Sequence, residues 1–419
     1  MDSWFDTARF GMFVHWGHSS QQGIELSWPL VGGNFALPAC DVPVERYHAS
    51  AATFDPQSWD ARALAARAKR LGMQYAIITA KHHDGYAMYF TKESDFSVEH
   101  SPFHRDIVRE FLDAMRAEGI RAGVYFSLID WHHPDYPPFH EEDKPYNVFK
   151  LPKPDPEQWQ RFTQFMFAQV RELLTAYGKI DVIWFDGQWE RRPEQWKPQE
   201  LAAMIHELQP GIMINDRLPG IGGYATPEQF VPPQPPEGPW ETCMTMNESW
   251  AYNPADTRWK SARQLVHTLC EVTGRGGNLL LNVGPMGDGR LQPEITERLA
   301  GIERWMARNS QSIIGTVPGL EPWQCYGPSS RRGDTVYVHL LMRPYDSVTV
   351  RGVHVKRLQS ARALSDGSTL DFSTRTGIIE TLHADPLGEV TVRVPESSID
   401  EFATVLALEF EPGTISAVS

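Results

Sequence analysis

The chain has 419 residues, 41% apolar and 22% charged, the balance of a folded globular protein rather than a disordered or fibrous one. Lys and Arg total 39 against 53 Asp and Glu, and the resulting net charge of −14 repels phosphate backbones and anionic membranes, so neither nucleic acid nor a membrane is an expected partner. No apolar stretch approaches the roughly 18 residues of a spanning helix, and at roughly 150 residues per domain the length suggests two or three domains.

Eleven per cent of the residues are aromatic, with 14 Trp, which suits a large core and also sugar binding, where ring faces meet C–H faces. The four cysteines, Cys40, Cys243, Cys270 and Cys325, form no Cys-x-x-Cys pair and are too few for a disulfide scaffold. The opening Met1-Asp2-Ser3-Trp4 lacks the basic and apolar regions of a secretory signal. A cytoplasmic protein is expected, or a secreted or periplasmic one whose leader was removed.

In chain order, short apolar runs recur, all but the last ending in a polar residue: Phe10–His15, Tyr75–Thr79, Ala122–Ser127, Val182–Asp186, Ile212–Asp216, Cys243–Asn247 and Asn278–Val283. Runs without polar alternation predict strands buried on both faces, as in a parallel sheet. Helical patterns separate them at 58–71, 104–118, 156–177, 194–208, 259–273 and 292–310. Seven strands are legible and an eighth is not, which predicts an α/β fold of the (β/α)8-like barrel type with one irregular strand. The segment 219–240 carries seven prolines and reads as a long stiff loop. From Thr335 the pattern changes to short alternating strands, predicting a C-terminal antiparallel β-sandwich. The expected division is a catalytic barrel over 1–317 and a β-sandwich over 318–419. The six glycines between Gly274 and Gly289 are not followed by Gly-Lys-Ser/Thr, so a phosphate loop is excluded and tight turns are expected.

Active sites of such barrels lie at the C-terminal strand ends. Here those ends read His15-Trp16-Gly17, Lys81-His82-His83-Asp84-Gly85, Tyr125 with Asp130-Trp131-His132-His133 beyond it, Trp184-Phe185-Asp186-Gly187 and Asn215-Asp216-Arg217. Five strands ending in hydrogen-bonding or ionisable groups point to a site. Asp186 stands out, because a carboxylate against a buried strand is costly unless paired or used. Adjacent His82 and His83 point to opposite faces of a strand and do not chelate one ion as an i, i+4 helical pair does. They read as partners for a neutral polyol, and no metal or other cofactor is expected.

The pieces Trp4-Phe5, Arg9-Phe10-Gly11-Met12-Phe13-Val14-His15-Trp16-Gly17, Lys81-His82-His83-Asp84-Gly85, Trp184-Phe185-Asp186-Gly187 and Gly277-Asn278-Leu279-Leu280-Leu281-Asn282-Val283-Gly284-Pro285 occur in this order. They resemble the α-L-fucosidases of glycoside hydrolase family 29, over residues 4 to about 315 together with a C-terminal β-domain. The resemblance implies a retaining exo-glycosidase that removes terminal fucose from glycans without a cofactor. It implies Asp186 as nucleophile. It also implies that His15, His82 and His83 bind sugar hydroxyls, that Tyr125 and Trp184 line the fucose site and that Arg217 is a positioning arginine. The family's Glu-Trp-Tyr appears here as Glu25-Leu26-Ser27-Trp28, so Glu25 and Trp28 are expected to contact substrate with altered spacing.

Retaining chemistry needs a second carboxyl about 5–5.5 Å from the nucleophile. Glu228, Glu237, Glu241 and Glu248 are the downstream candidates. Thr226-Pro227-Glu228-Gln229 resembles the acid/base loop of some family members, which favours Glu228 and suggests α-1,3/1,4 linkages. Glu241 is the second candidate, expected to be structural or to touch substrate. Two other functions compete: an inactive fucose-binding protein on the same scaffold, which needs neither Asp186 nor Glu228, and a metal-dependent hydrolase using His82, His83, His132 and Asp186.

Overall fold

A computed structural model of the chain describes residues 4–33 and 42–415. The first three residues and Cys40 lie outside the described residues; Cys243, Cys270 and Cys325 are buried free thiols. Seven strands form one parallel sheet: β1 (Phe10–Val14), β2 (Tyr75–Lys81), β3 (Arg121–Ser127), β4 (Val182–Asp186), β5 (Met213–Ile214), β6 (Glu241–Met244) and β7 (Asn278–Val283). Their spatial order is β5-β4-β3-β2-β1-β7-β6. The helices are α1 (Trp4–Ala8), α2 (Val44–Ala49), α3 (Ala61–Arg70), α4 (Ile107–Ala117), α5 (Pro156–Ala176), α6 (Pro198–Leu208), α7 (Ala262–Gly274) and α8 (Pro293–Asn309). Asp60, Asp106, Asp155 and Ser261 cap α3, α4, α5 and α7 by accepting a backbone N–H from the first turn.

The gap between β5 and β6 is bridged by 224–229, inside the segment expected to be a loop. Tyr224 pairs in parallel with Asn215, Ala225 with Trp240, and Glu228 with Cys243. The Gln229 N–H donates to the Cys243 carbonyl at 2.9 Å and the Glu241 N–H to the Ala225 carbonyl at 2.9 Å. This segment is the irregular eighth stave. Pro227 lacks an N–H to donate, and the prolines that follow keep the pairing from lengthening into a regular strand.

Strand alternation divides the barrel core in two. Ile183 and Phe185 of β4 pack outward against the helices. Val182 and Trp184 pack inward with Phe13, Ile77, Tyr125, Cys243 and Leu280, and Phe5 of α1 closes the bottom. The same period turns Asp186 inward above Trp184.

The C-terminal region is a five-stranded sheet packed on a three-stranded one. The larger contains β8 (Val317–Pro318), β9 (Ser329–Arg332), β10 (Thr335–Leu340), β12 (Leu358–Ala363) and β15 (Thr404–Phe410); the smaller contains β11 (Ser347–His354), β13 (Phe372–Arg375) and β14 (Leu387–Arg393). Val336, Val338, Leu406 and Leu408 face the sandwich core with Val350, Val390 and Val392. Tyr337, Val405 and Ala407 face the other way, into the core shared with α7 and α8. The Trp305 indole donates to the Ala403 carbonyl at 2.9 Å across this junction. Among the described residues no helix is long and apolar enough to cross a membrane.

Candidate active site

A pocket of about 330 Å³ opens at the C-terminal ends of the barrel strands. Asp186 lines it. Gly187 follows it at φ 84°, and a Cβ there would lie 2.6 Å from Ile129 Cγ1, so the turn that releases the chain after Asp186 requires glycine. The Tyr125 hydroxyl donates to Asp186 Oδ2 at 2.7 Å and Arg217 Nη1 donates to Oδ1 at 2.7 Å. Burial pushes the Asp186 carboxyl up, but the Arg217 charge, His83 and the hydrogen bonds from Tyr125 and Arg217 outweigh it and hold the group below the usual carboxylate range. Asp186 is therefore an anion at neutral pH, held on a rigid strand.

Arg217 also binds a second carboxylate. Its Nη2 donates to Glu228 Oε2 at 2.5 Å, and the guanidinium lies 4.5 Å over the Trp184 ring. One planar fork thus holds two carboxylates side by side. The two differ in exposure: 11% for the Asp186 side chain and 38% for that of Glu228.

The inner wall is histidine. His15 Nδ1 meets Asn282 Oδ1 at 2.7 Å, and the Asn282 amide is itself fixed by donating to the Trp250 carbonyl at 2.7 Å. His83 Nδ1 meets Ser127 Oγ at 2.6 Å, and the Ser127 hydroxyl gives its proton to the Ile129 carbonyl at 2.9 Å. In both rings these partners assign the proton to Nδ1 and leave Nε2 as an acceptor. Burial lowers both to about 4, so they are neutral at physiological pH. His82 meets Ser27 Oγ at 2.6 Å through Nδ1 and stacks on Tyr125 at 5.4 Å. Burial holds it well below its ordinary range too. Neutral imidazoles aimed into a pocket suit the hydroxyls of an uncharged sugar. Phe13, Trp184, Cys243 and Trp250 add an apolar wall.

Residues 1–311 match the family described as Alpha-L-fucosidase. The chain belongs to the alpha-L-fucosidase family. It is similar to the structure of alpha-L-fucosidase isoenzyme 1 from Paenibacillus thiaminolyticus, with 35% identity, a TM-score of 0.83 and 98% of each chain covered. A Bacteroides thetaiotaomicron alpha-L-fucosidase, solved as a trapped covalent intermediate with 2-fluoro-fucosyl fluoride, shares 26% identity at a TM-score of 0.80, covering 97% of this chain and 95% of that one. Tissue alpha-L-fucosidase of Mus musculus is 28% identical over 98% of this chain and 90% of its own length. The chain is a glycoside hydrolase, a retaining alpha-L-fucosidase. Its fold is the expected barrel with a C-terminal β-domain.

Of the expected site residues, the fucosidase pocket brings together His15, Trp28, His82, His83, Tyr125, Trp184, Asp186, Arg217 and Glu228. Two do not reach it. Glu241 is fully buried beneath the pocket floor, where its Oε1 accepts from the Trp184 indole at 2.7 Å and its Oε2 from the Tyr75 hydroxyl at 2.5 Å. Glu25 is also buried, and its Oε1 accepts the backbone N–H of Trp250 at 2.9 Å. Through that bond it fixes the loop that carries Trp250. His132 lies outside the pocket, stacked on Phe96 at 3.9 Å.

Sequence reasoning missed Phe13, Tyr146, Val148, Trp189, Cys243 and Trp250 as lining residues. It also missed the orienting Ser27, Ser127 and Asn282. Phe13 and Cys243 were findable from strand alternation, two positions before His15 and after Glu241, and Ser127 and Asn282 lie on β3 and β7; Ser27, Tyr146, Val148, Trp189 and Trp250 are placed by the connections between strands.

Proposed function

We propose that Asp186 is the nucleophile and Glu228 the general acid/base of this alpha-L-fucosidase. The observation that carries the assignment is the Arg217 guanidinium, bonded at once to Asp186 at 2.7 Å and to Glu228 at 2.5 Å. A fork that spans two carboxylates suits the close pair of a retaining glycosidase, about 5–5.5 Å apart, rather than the wider pair of an inverting one. Fucose enters with its hydroxyls toward His15, His82 and His83 and its methyl toward the apolar wall. Asp186 attacks the anomeric carbon while Glu228 gives its proton to the departing oxygen. A β-fucosyl ester of Asp186 results. Glu228, now a base, takes a proton from water, and the hydroxide oxygen displaces Asp186 to release α-L-fucose.

The division of exposure fits the roles. The nucleophile must stay ionised and reach one carbon, so a buried anion clamped by Arg217 and Tyr125 suits it. The acid/base must serve both the leaving group and water, so the more open carboxyl suits that. The trapped intermediate of the Bacteroides relative supports a covalent path. The substrate is a fucosylated glycan, and the Thr226-Pro227-Glu228-Gln229 stave supports the α-1,3/1,4 linkages expected from sequence. Two measurements test these readings. A 2-fluoro-fucosyl fluoride should label the peptide containing Asp186, read by mass spectrometry; label on another residue removes the assignment. A panel of fucosylated oligosaccharides of defined linkage should show the highest kcat/KM on α-1,3 or α-1,4 bonds; preference for α-1,2 or α-1,6 would overturn the linkage reading.

A further inference from the structure

The mouth of the pocket is aromatic and comes from three loops. Trp28 is on the turn after 27, Tyr146 and Val148 lie on the long β3–α5 connection, and Trp189 follows β4. All four are half-buried, whereas the histidines and Asp186 below them are buried. The rings stand edge-on to one another: Trp28 lies 5.4 Å from Tyr146 and 5.5 Å from His83, and Trp189 lies 5.7 Å from His83. Beneath them is one buried carboxyl that the mechanism does not use. Glu190 accepts from the Tyr146 hydroxyl at 3.0 Å, from the Trp131 indole at 3.1 Å and from the Tyr136 hydroxyl. The Trp189 indole in turn donates to the Tyr146 hydroxyl at 2.8 Å. Trp131 packs edge-on against Trp28 at 5.7 Å. A single carboxyl therefore fixes, directly or through one partner, the three aromatic residues of the mouth.

We propose that this mouth binds the sugar from which fucose is cut, a pyranose presenting an apolar C–H face to Trp28, Tyr146 and Trp189, and that Glu190 is the positioning residue that holds it in shape. The inference rests on the fucosidase reading above. A fucose ring seated on the histidine wall with its anomeric carbon at Asp186 sends its leaving oxygen outward past these rings. Indole and phenol faces match the axial C–H groups of a neutral pyranose, and their negative face disfavours an anionic leaving group. Fixing the rings beforehand avoids the ordering cost on binding, which is what a buried carboxyl shared by three donors achieves.

The test compares two substrates with the same fucosyl group. α-L-Fucosyl fluoride has no leaving sugar, and a fucosylated trisaccharide has one. In Glu190→Ala the ratio of KM for the trisaccharide to KM for the fluoride should rise about tenfold, the loss of about 1.4 kcal/mol of binding. Because loss of a buried carboxyl can unfold the loop, Tyr146→Phe is the second variant: it removes only the hydroxyl that links Trp189 to Glu190 and should raise the same ratio in the same direction. Glu190→Gln, which keeps an acceptor oxygen, should recover part of the loss. Inhibition by the defucosylated product should weaken in parallel. An unchanged ratio in folded variants, or equal losses on both substrates, would overturn the proposal. A wild-type enzyme inert toward the fluoride would instead count against the fucosidase reading itself.

Discussion

Strand β4 and the stave 224–229 each deliver a carboxylate to Arg217, and they do it by opposite means. β4 is regular, apolar and buried on both faces, and its last residue, Asp186, inherits an inward direction from the period of the strand. The stave is irregular, interrupted by Pro227, and joined to its neighbours by isolated pairings. It holds Glu228 where solvent and a leaving group can reach it. The regular element gives Asp186, the proposed nucleophile, a fixed position and a low proton affinity. The irregular one leaves Glu228, the proposed acid/base, more open. The difference suggests that a retaining site needs one rigid and one open carboxylate, and that Arg217 couples them.

Removing the rigid partner should have the largest effect. Asp186→Ala should fold and lower turnover by more than about 10⁴-fold, as loss of a nucleophile does. Azide should restore activity and yield β-L-fucosyl azide, the inverted product, which NMR identifies. Near-wild-type turnover in this variant would remove Asp186 from the role.

Arg217→Met breaks the coupling itself. We expect kcat/KM to fall by about 10²–10³-fold, the range for losing one preorganised charge partner. The pH profile carries the sharper signal. Burial raises the Asp186 carboxyl and Arg217 opposes it, so removing Arg217 should move the acid limb of kcat/KM to higher pH. An acid limb that stays in place would mean that Arg217 does not govern Asp186.

Glu228→Ala tests the open partner. A natural glycan leaves as a sugar alkoxide and needs a full proton, whereas an acidic phenol hardly does. Hydrolysis of the glycan should fall by about 10²–10⁴-fold, with a much smaller loss in fucosylation of the enzyme by an aryl fucoside. Azide should give α-L-fucosyl azide, the retained product. Equal losses on both substrates would move the role elsewhere.

The same contrast explains what the sequence made legible. Short apolar runs without polar alternation exposed β1 to β4 and β7 almost to the residue, and with them His15, Tyr125 and Asp186. The eighth stave was hidden because its prolines have the signature of a loop and its pairing depends on β5 and β6 on either side. Glu25 was expected at the substrate from the family's Glu-Trp-Tyr alone, and a short motif with altered spacing does not say which way its carboxyl turns. For Glu241, expected to be structural or to touch substrate, the pattern of β6 does not say how high in the barrel the side chain sits. The mouth residues Tyr146 and Trp189 belong to segments without periodicity, so only their convergence on Glu190 reveals them.

Glu241 supplies the smallest and most specific test. It sits on β6 beside the stave, two residues before the Cys243 that pairs with Glu228, yet its surroundings contrast with those of Asp186. Burial raises it to about 7, although Tyr75, Trp184 and the Arg217 charge pull the other way. A carboxyl with an unfolded value of 4.5 and a folded value near 7 holds more protons in the native state between those limits. Its contribution is therefore most favourable below pH 4.5 and declines as pH rises to 7, by about 3 kcal/mol at most. Glutamine cannot titrate. It offers one oxygen to the Trp184 indole and an N–H to the Tyr75 oxygen, so Glu241→Gln should keep the Trp184 floor in place and lower kcat/KM by only about threefold. Urea unfolding of both proteins at pH 5 and pH 7.5 should show the variant losing less stability across that interval, with the difference isolating this one carboxyl from the other groups that titrate there. Parallel stability curves would show that Glu241 is already ionised beneath the floor, and that burial separates it from Asp186 less than the geometry implies.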